Sequence, residues 1–318
     1  MKIFPFNFPI ESFASSAKPL RPLRTGVGIF MTLIELVNES AAHLETAGVA
    51  FGHGTTNAFD EAVWLVLWKL GLPLDDLDGV ASRVVSAQQQ DGVRELVGER
   101  IRSRKPAAYL THEAWLQGVP FYVDERSIVP RSLIAELIVD GDIDPWLGEH
   151  TRRVLDLCTG NGSLAVLAAM AYPEVAVDAA DISADALAIA RINVDKHGLP
   201  DRVRLLQSDG LRSVAGPYDL IVCNPPYVNA ASIAQLPAEY RAEPALALAG
   251  GADGMDFIRT LLRDAPARMS EQAVLVLEIG NERGNFEAAF PRLEAVWLET
   301  SAGGDQVLLA TRESLLDA

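Results

Sequence analysis

The stretch "RRVLDLCTGNG", residues 152–162, decides the fold. Val154, Leu155 and Leu157 read as a short buried strand that closes around Asp156. Gly160 and Gly162 follow, residues that let a backbone turn tightly, approach a ligand and open a helix. Strand, glycine turn and helix start a β-α-β unit, and the same grammar then repeats. Strands are expected at 152–157, 175–181, 203–209, 218–224 and 273–280, with helices at 162–172, 183–197 and 254–270. Two strand-like pieces, "AVWLET" and "QVLLAT", close the chain. Short apolar strands alternating with helices imply a parallel sheet covered on both faces.

Upstream the pattern differs. Residues 1–30 carry Pro5, Pro9, Pro19 and Pro22 and show no period, so we expect a disordered extension with the functional start at Met31. Thr32 and Glu35 have capping-box spacing. Leu33, Leu36, Val37 and Leu44 then recur at helical intervals. A second helix is predicted over 57–71, capped by Asn57 and stopped by Gly71, with Trp64 and Trp68 in its core face. A third covers about 90–104 and ends before Pro106. "AWLQGVPFYV" (114–123) reads as a hairpin turning near Gln117 and Gly118. A short helix, "SLIAELIVD", and a turn-rich linker from Gly141 to His150 lead into the strand at 152. The expected domains are an extension (1–30), a helical substrate-recognition domain with the hairpin (31–130) and an α/β domain (131–318).

Composition narrows the class. The chain has 318 residues, 49% of them apolar, and a mean hydropathy of +0.14, which suits a well-filled core. Lys69 and Pro73 cut its longest apolar run short of the ~18 residues a membrane span needs. Two cysteines cannot build a disulfide framework, which fits a reducing cytoplasm. The five histidines show no metal-ligand spacing, so no metal is expected. A net charge of −16 disfavours a protein that coats nucleic acid and favours a basic partner.

In such sheets ligands bind beyond the carboxyl ends of the strands. There stand Asp156, Asp181, Ser208 with Asp209, and Asn224. Asp181 suits the hydroxyls of a ribose, and Asp209 an adenine amino group. A dinucleotide fingerprint needs a third glycine, and Ala165 occupies that place. An acid beside the loop disfavours phosphate and favours a cation, so S-adenosylmethionine fits better than NAD. "NPPY" (224–227) then acquires a purpose. A planar N–H₂ group can donate one hydrogen to the Asn224 side-chain oxygen and the other to the Pro225 carbonyl. Pro225 and Pro226 add no competing N–H and stiffen the loop. Tyr227 can cover the flat face of the target. No strong base is required, because the methylated nitrogen is acidic and loses its proton afterwards.

"DLCTGNG", "NPPY" and "EYRAEPALALAGGADG" (239–254) resemble the HemK-like protein glutamine methyltransferases. The resemblance implies an α/β, class I (Rossmann-like) S-adenosylmethionine-dependent methyltransferase, with a mostly parallel twisted sheet behind a small helical N-terminal domain and a β-hairpin. Donor contacts are then expected from Asp156, Cys158, Thr159, Gly160, Asn161, Gly162, Asp181, Ile182, Asp209, Gly210 and Asn224. Substrate contacts are expected from Asn224, Pro225, Pro226, Tyr227 and Arg131, with Tyr122 a further candidate. Cys158 stands where relatives often carry glycine, and Gly210 where one branch can carry an aromatic. Glu278 at the end of the last parallel strand reads as either structural or near the site mouth.

One branch of this family methylates peptide release factors, the other a glutamine of large-subunit ribosomal protein three (L-three). The release-factor branch typically reads Ile-Pro-Arg-Pro-Asp/Glu-Thr where this chain has Val129-Pro130-Arg131-Ser132-Leu133-Ile134. That departure, with the acidic charge, favours the basic ribosomal protein. The rivals are the release-factor activity, an adenine-specific DNA methyltransferase and a non-catalytic ribosome assembly factor. A DNA enzyme needs a basic face. The one basic cluster, Arg100, Arg102, Arg104 and Lys105, reads as a solvated helix end, so no direct DNA binding is expected.

Overall fold

The computed structural model describes residues 31–317; the expected extension at 1–30 lies outside them. The chain divides into two compact units, one reaching to Val49 and resuming over Thr55–Ser103, the other Ala50–Gly54 with Arg104 onward. The hairpin, grouped by sequence with the helical part, falls in the second unit.

The first unit is helical: α1 (Leu33–Thr46), α2 (Ala58–Lys69) and α3 (Ala87–Ser103). The Thr32 side chain and Glu35 form the reciprocal capping box at the start of α1. Asn57 caps α2 through its side-chain oxygen. α3 begins three residues before the expected position, because Ser86 and Gln89 build a second reciprocal cap. Leu65, Val66 and Ala62 are fully buried on α2, whereas Trp64 and Trp68 are half-buried. Arg100 is buried with Glu61, their side chains 2.8 Å apart, so it is not part of a solvated helix end.

After one turn of helix at Ala107–Thr111, the second unit forms the hairpin β1 (Ala114–Leu116) and β2 (Val119–Phe121) and a short helix, α4 (Ile134–Asp140). Gln117 and Gly118 both have positive φ, as a two-residue turn requires. Then come β3 (Arg153–Leu157), α5 (Ser163–Ala171), β4 (Ala176–Asp181), α6 (Ala184–Lys196), β5 (Val203–Gln207), β6 (Tyr218–Cys223), α7 (Asp256–Asp264), β7 (Met269–Glu278), α8 (Arg283–Ala289), β8 (Val296–Thr300) and β9 (Gly303–Thr311). The helix expected to 270 stops at Asp264, where Pro266 opens a short 3-10 turn, so β7 starts early.

The sheet order is β8-β9-β7-β6-β3-β4-β5. β3 to β7 are mutually parallel, and β9 inserts antiparallel between β7 and β8. β3 therefore lies between β4 and β6, where the winding reverses and a ligand crevice opens. One core layer joins Val154, Val177, Leu220 and Val276 to α4 and α5. The other joins Leu155, Ile221 and Leu275 to α7 and α8. Register sets the site. Ala180, Leu157, Cys223 and Leu277 lie in one row across the sheet. The next residue on each strand is Asp181, Cys158, Asn224 and Glu278.

Candidate active site

Beyond that row lies a cavity of about 620 Å³, within the size range of small-molecule sites. Cys158, Thr159, Gly160, Asn161, Asp181 and Ile182 line it on one side, with Asp209 and Gly210 further along. Asn224, Pro225, Pro226 and Tyr227 line its centre, Arg131, Ser132 and Glu278 its far side.

Asp156 does not line the cavity, which corrects its expected role. It is wholly buried, because strand alternation turns it to the same face as Val154, under the start of α5. One of its oxygens accepts the Thr159 hydroxyl at 2.5 Å and the Ala165 N–H at 2.9 Å. The other has no partner among the described residues. Burial pushes its carboxyl up to about 7 against those two hydrogen bonds, with nearby Asp181 adding to the rise. Asp156 thus staples the loop to the helix it opens. Gly162 is also absent from the lining. With φ of +82° it packs on α6, where a Cβ would come 3.0 Å from the Ala190 Cβ. Its task is helix packing, not ligand contact.

Asp181 lines the cavity with its carboxylate held by the loop backbone. One oxygen accepts the Gly160 N–H and the other the Ser183 N–H, each at 2.9 Å. The Ile182 N–H also bears on it, and with about four acceptor sites the carboxylate keeps capacity for a ligand hydroxyl. Burial raises this carboxyl, and the backbone N–H groups oppose the rise. The buried side-chain nitrogen of Asn161 has no acceptor among the described residues, so the loop holds an unused hydrogen-bond donor. Cys158 adopts φ of +62°, a left-handed conformation that costs an L-residue roughly 1–2 kcal/mol. Ser208, by contrast, is committed to its own loop, accepting from Ser213 and donating to Gly210. Asp209 is exposed and pairs with Arg212.

Two residues escaped the sequence reading. Phe257, in the first turn of α7, stands beside Gly210 and lines the cavity. It supplies an aromatic face where Gly210 has none, opposite in sequence origin to exposed Ile182. Asn193 of α6 is fully buried and ties the Tyr122 backbone to the Asn161 carbonyl through three hydrogen bonds of 2.7–2.9 Å. An asparagine on the apolar face of α6, beside Ile189 and Ala190, was the available signal. Tyr122 itself turns its hydroxyl to Asp124 and is not in the lining.

At the centre, Asn224 makes no side-chain hydrogen bond to another described residue. The chain at and just after Tyr227 is clamped. Val228 donates to Leu248 and accepts from Gly250, each at 2.9 Å. A Cβ on Gly250 would meet the Tyr227 backbone at 2.7 Å, and one on Gly280 would meet its ring at 2.6 Å. Only glycine admits that approach. Arg131 is not free for a substrate: its guanidinium binds Glu243 through two contacts of 2.7 Å. Burial opposes ionisation of Glu243, but His53 and Arg131 prevail and hold it at about 2. Ser132, where the chain departs from the release-factor pattern, donates to Glu278 at 2.6 Å. Among the described residues, no group of His, Cys, Asp and Glu is arranged to hold a metal ion.

A doubly wound sheet with an Asn-Pro-Pro-Tyr turn beside a glycine loop defines a class I methyltransferase. Residues 143–240 match the model of the methyltransferase small domain. The chain is 54% identical over 287 residues to the ribosomal protein uL3 glutamine methyltransferase of Bordetella pertussis, covering 89% of this chain and 96% of that protein. It is 51% identical over 290 residues to the protein of that name from Burkholderia pseudomallei, covering 88% and 94%. Among solved structures, the hMettl16 catalytic domain superposes with a TM-score of 0.49 at 13% identity, covering 72% of this chain and 84% of that one. The chain belongs to the family of ribosomal protein uL3 glutamine methyltransferases.

Proposed function

We propose that this protein transfers a methyl group from S-adenosylmethionine to the side-chain amide nitrogen of a glutamine in ribosomal protein uL3. One observation carries the reading: the uncommitted Asn224 amide stands in the same cavity as Asp181, one strand position past the aligned row. The residues fit the donor. Asp181 would hold the ribose hydroxyls, the Asn161 nitrogen the donor's carboxylate, and Ile182 and Phe257 the two faces of the adenine. Cys158, Thr159, Gly160, Asp209 and Gly210 would complete that wall. Asp156 and Gly162 support it from behind. When bound, the donor supplies an electrophilic methyl group on a sulfonium.

Asn224 and the Pro225 carbonyl accept the two N–H bonds of the glutamine amide and fix its plane. Tyr227 covers that plane. Orientation of this kind contributes several kcal/mol, with ~7–11 as the upper scale. The same acceptors stabilise the positive charge that grows on nitrogen in the transition state. Arg131 acts indirectly, holding Glu243 under the Val129–Arg131 segment at the cavity wall.

The ribosomal-protein substrate is supported by the names of the relatives and by the charge of −16, which suits a basic partner. A ribosomal protein as substrate supports a reaction in the cytoplasm. The test is transfer of labelled methyl to purified uL3, a release factor and unmodified DNA, with the label mapped by mass spectrometry. Label on a uL3 glutamine is expected. Label on the release factor would overturn the substrate, label on DNA the family's chemistry here, and none at all with donor bound would favour a non-catalytic assembly role.

A further inference from the structure

Glu278, which the sequence marks as either structural or near the site mouth, ends β7 in the same row as Asn224 and lines the same cavity. It is only 4% exposed, and no cation pairs with it among the described residues. Three donors hold it instead. One oxygen accepts the Ser132 hydroxyl at 2.6 Å and the Leu133 N–H at 2.9 Å. The other lies 3.3 Å from the Tyr227 hydroxyl. Ser132 in turn accepts the Ile134 N–H at 3.2 Å, which leaves its own hydrogen for Glu278. A carboxylate only accepts, so the three donors are mutually consistent. A buried carboxylate without a counter-ion is expensive, and an apolar side chain would fill a purely structural site at lower cost. Here the acceptor ends on the aromatic ring of the transfer site.

We propose that Ser132 and Glu278 are positioning residues for the methyl transfer: they fix the Tyr227 hydroxyl and thereby the tilt of its ring over the substrate amide. The idea rests on the function proposed above. Gly280 sets how near the ring stands, and the hydroxyl contact sets its angle. The hydrogen bonds of Glu278 run to Ser132, Leu133 and Tyr227 and none to Asn224 among the described residues, so its effect reaches the amide through Tyr227. Small misplacements at such a site are amplified in rate.

The test is a double-mutant cycle on the full chain with uL3 as substrate. Ser132→Ala and Tyr227→Phe should each lower kcat by on the order of three- to tenfold, the worth of one hydrogen bond. Donor affinity by calorimetry should hold steady in both. The double variant should be no slower than Tyr227→Phe alone, because the shared route is already cut. Glu278→Gln, checked for native circular dichroism, should lose at least as much as Ser132→Ala. Multiplicative losses in the double variant, or full kcat in Ser132→Ala, would overturn the proposal. A second readout needs no substrate. With isotope-labelled tyrosine, the Tyr227 ring resonance should move in Ser132→Ala, and an unmoved resonance would sink the idea. Inactivity of the unaltered protein on uL3 would instead refute the substrate reading while leaving this spectroscopic arm to decide the contact.

Discussion

Asp156 offers the sharpest check on how the donor loop is held. Its carboxyl is pushed by burial from 3.8 up to about 7. A group whose folded pKa is raised favours the native state while protonated. Its contribution is full below about pH 4 and is lost as pH rises toward about 7. Three units correspond to about 4 kcal/mol for one proton. Asp156→Asn removes the titration but keeps an oxygen to accept from Thr159 and Ala165. Its amide nitrogen takes the place of the unpartnered oxygen, a penalty that does not vary with pH. Asp181 and Glu278, also raised by burial, remain in both proteins and cancel. Glu243, held near 2, acts in the opposite sense and below this window. Urea unfolding between about pH 5 and about pH 8 should therefore show wild-type stability falling relative to Asp156→Asn, by up to about 1.4 kcal/mol per unit. Parallel profiles for the two proteins would refute the burial argument and return Asp156 to a solvated position.

Asn224→Ala should lower kcat by roughly a hundred- to a thousandfold, the scale of one lost preorganised group. Calorimetric donor affinity should change little, and full activity would refute the amide-holding role. Asp181→Ala should weaken donor binding by on the order of tenfold or more, as expected for hydrogen bonds to a charged acceptor. An unchanged dissociation constant would remove the ribose assignment. At Cys158 the left-handed backbone predicts an order of stability. Cys158→Val should fall below Cys158→Gly by about 1–2 kcal/mol in chemical unfolding, since a β-branched residue is strained at positive φ. Equal stability would show that the turn relaxes.

Much of this was legible in the chain because local and global signals agree. Thr32, Asn57 and the Gln117–Gly118 turn are short-range devices, and the structure keeps each. The strand ends were legible because the apolar runs stop where the ligand face begins. Asp156 was misread although the means to place it were present: it shares strand parity with Val154, which faces the helix rather than the crevice. Ser86 and Gln89 likewise carried the true start of α3. Phe257 was different in kind. Nothing near it in sequence places it beside Gly210; only the crossover from β6 to α7 does so. Glu278 was legible only as a residue that is structural or near the site mouth, since its row is defined by pairing with Cys223's strand and not by its own neighbours.

Charge shows the same division between sequence and fold. Arg100, Arg102, Arg104 and Lys105 form a basic run on paper. In the structure Arg100 meets Glu61, Arg102 meets Glu99 at 2.8 Å, Arg104 meets Glu239 at 3.0 Å, and Lys105 meets Glu125. Each cation already has a carboxylate, so the run creates no field for a phosphate backbone. Exposed pairs such as Arg102 with Glu99 contribute little to stability, but they still cancel charge locally. The surplus that remains is the acidic −16, and a long-range field of that sign steers cations. A glutamine carries no charge, so the amide-holding role proposed for Asn224 does not distinguish one glutamine from another. Discrimination then has to come from the rest of the substrate, and an acidic enzyme that holds its own arginines in internal pairs is built to meet a basic protein.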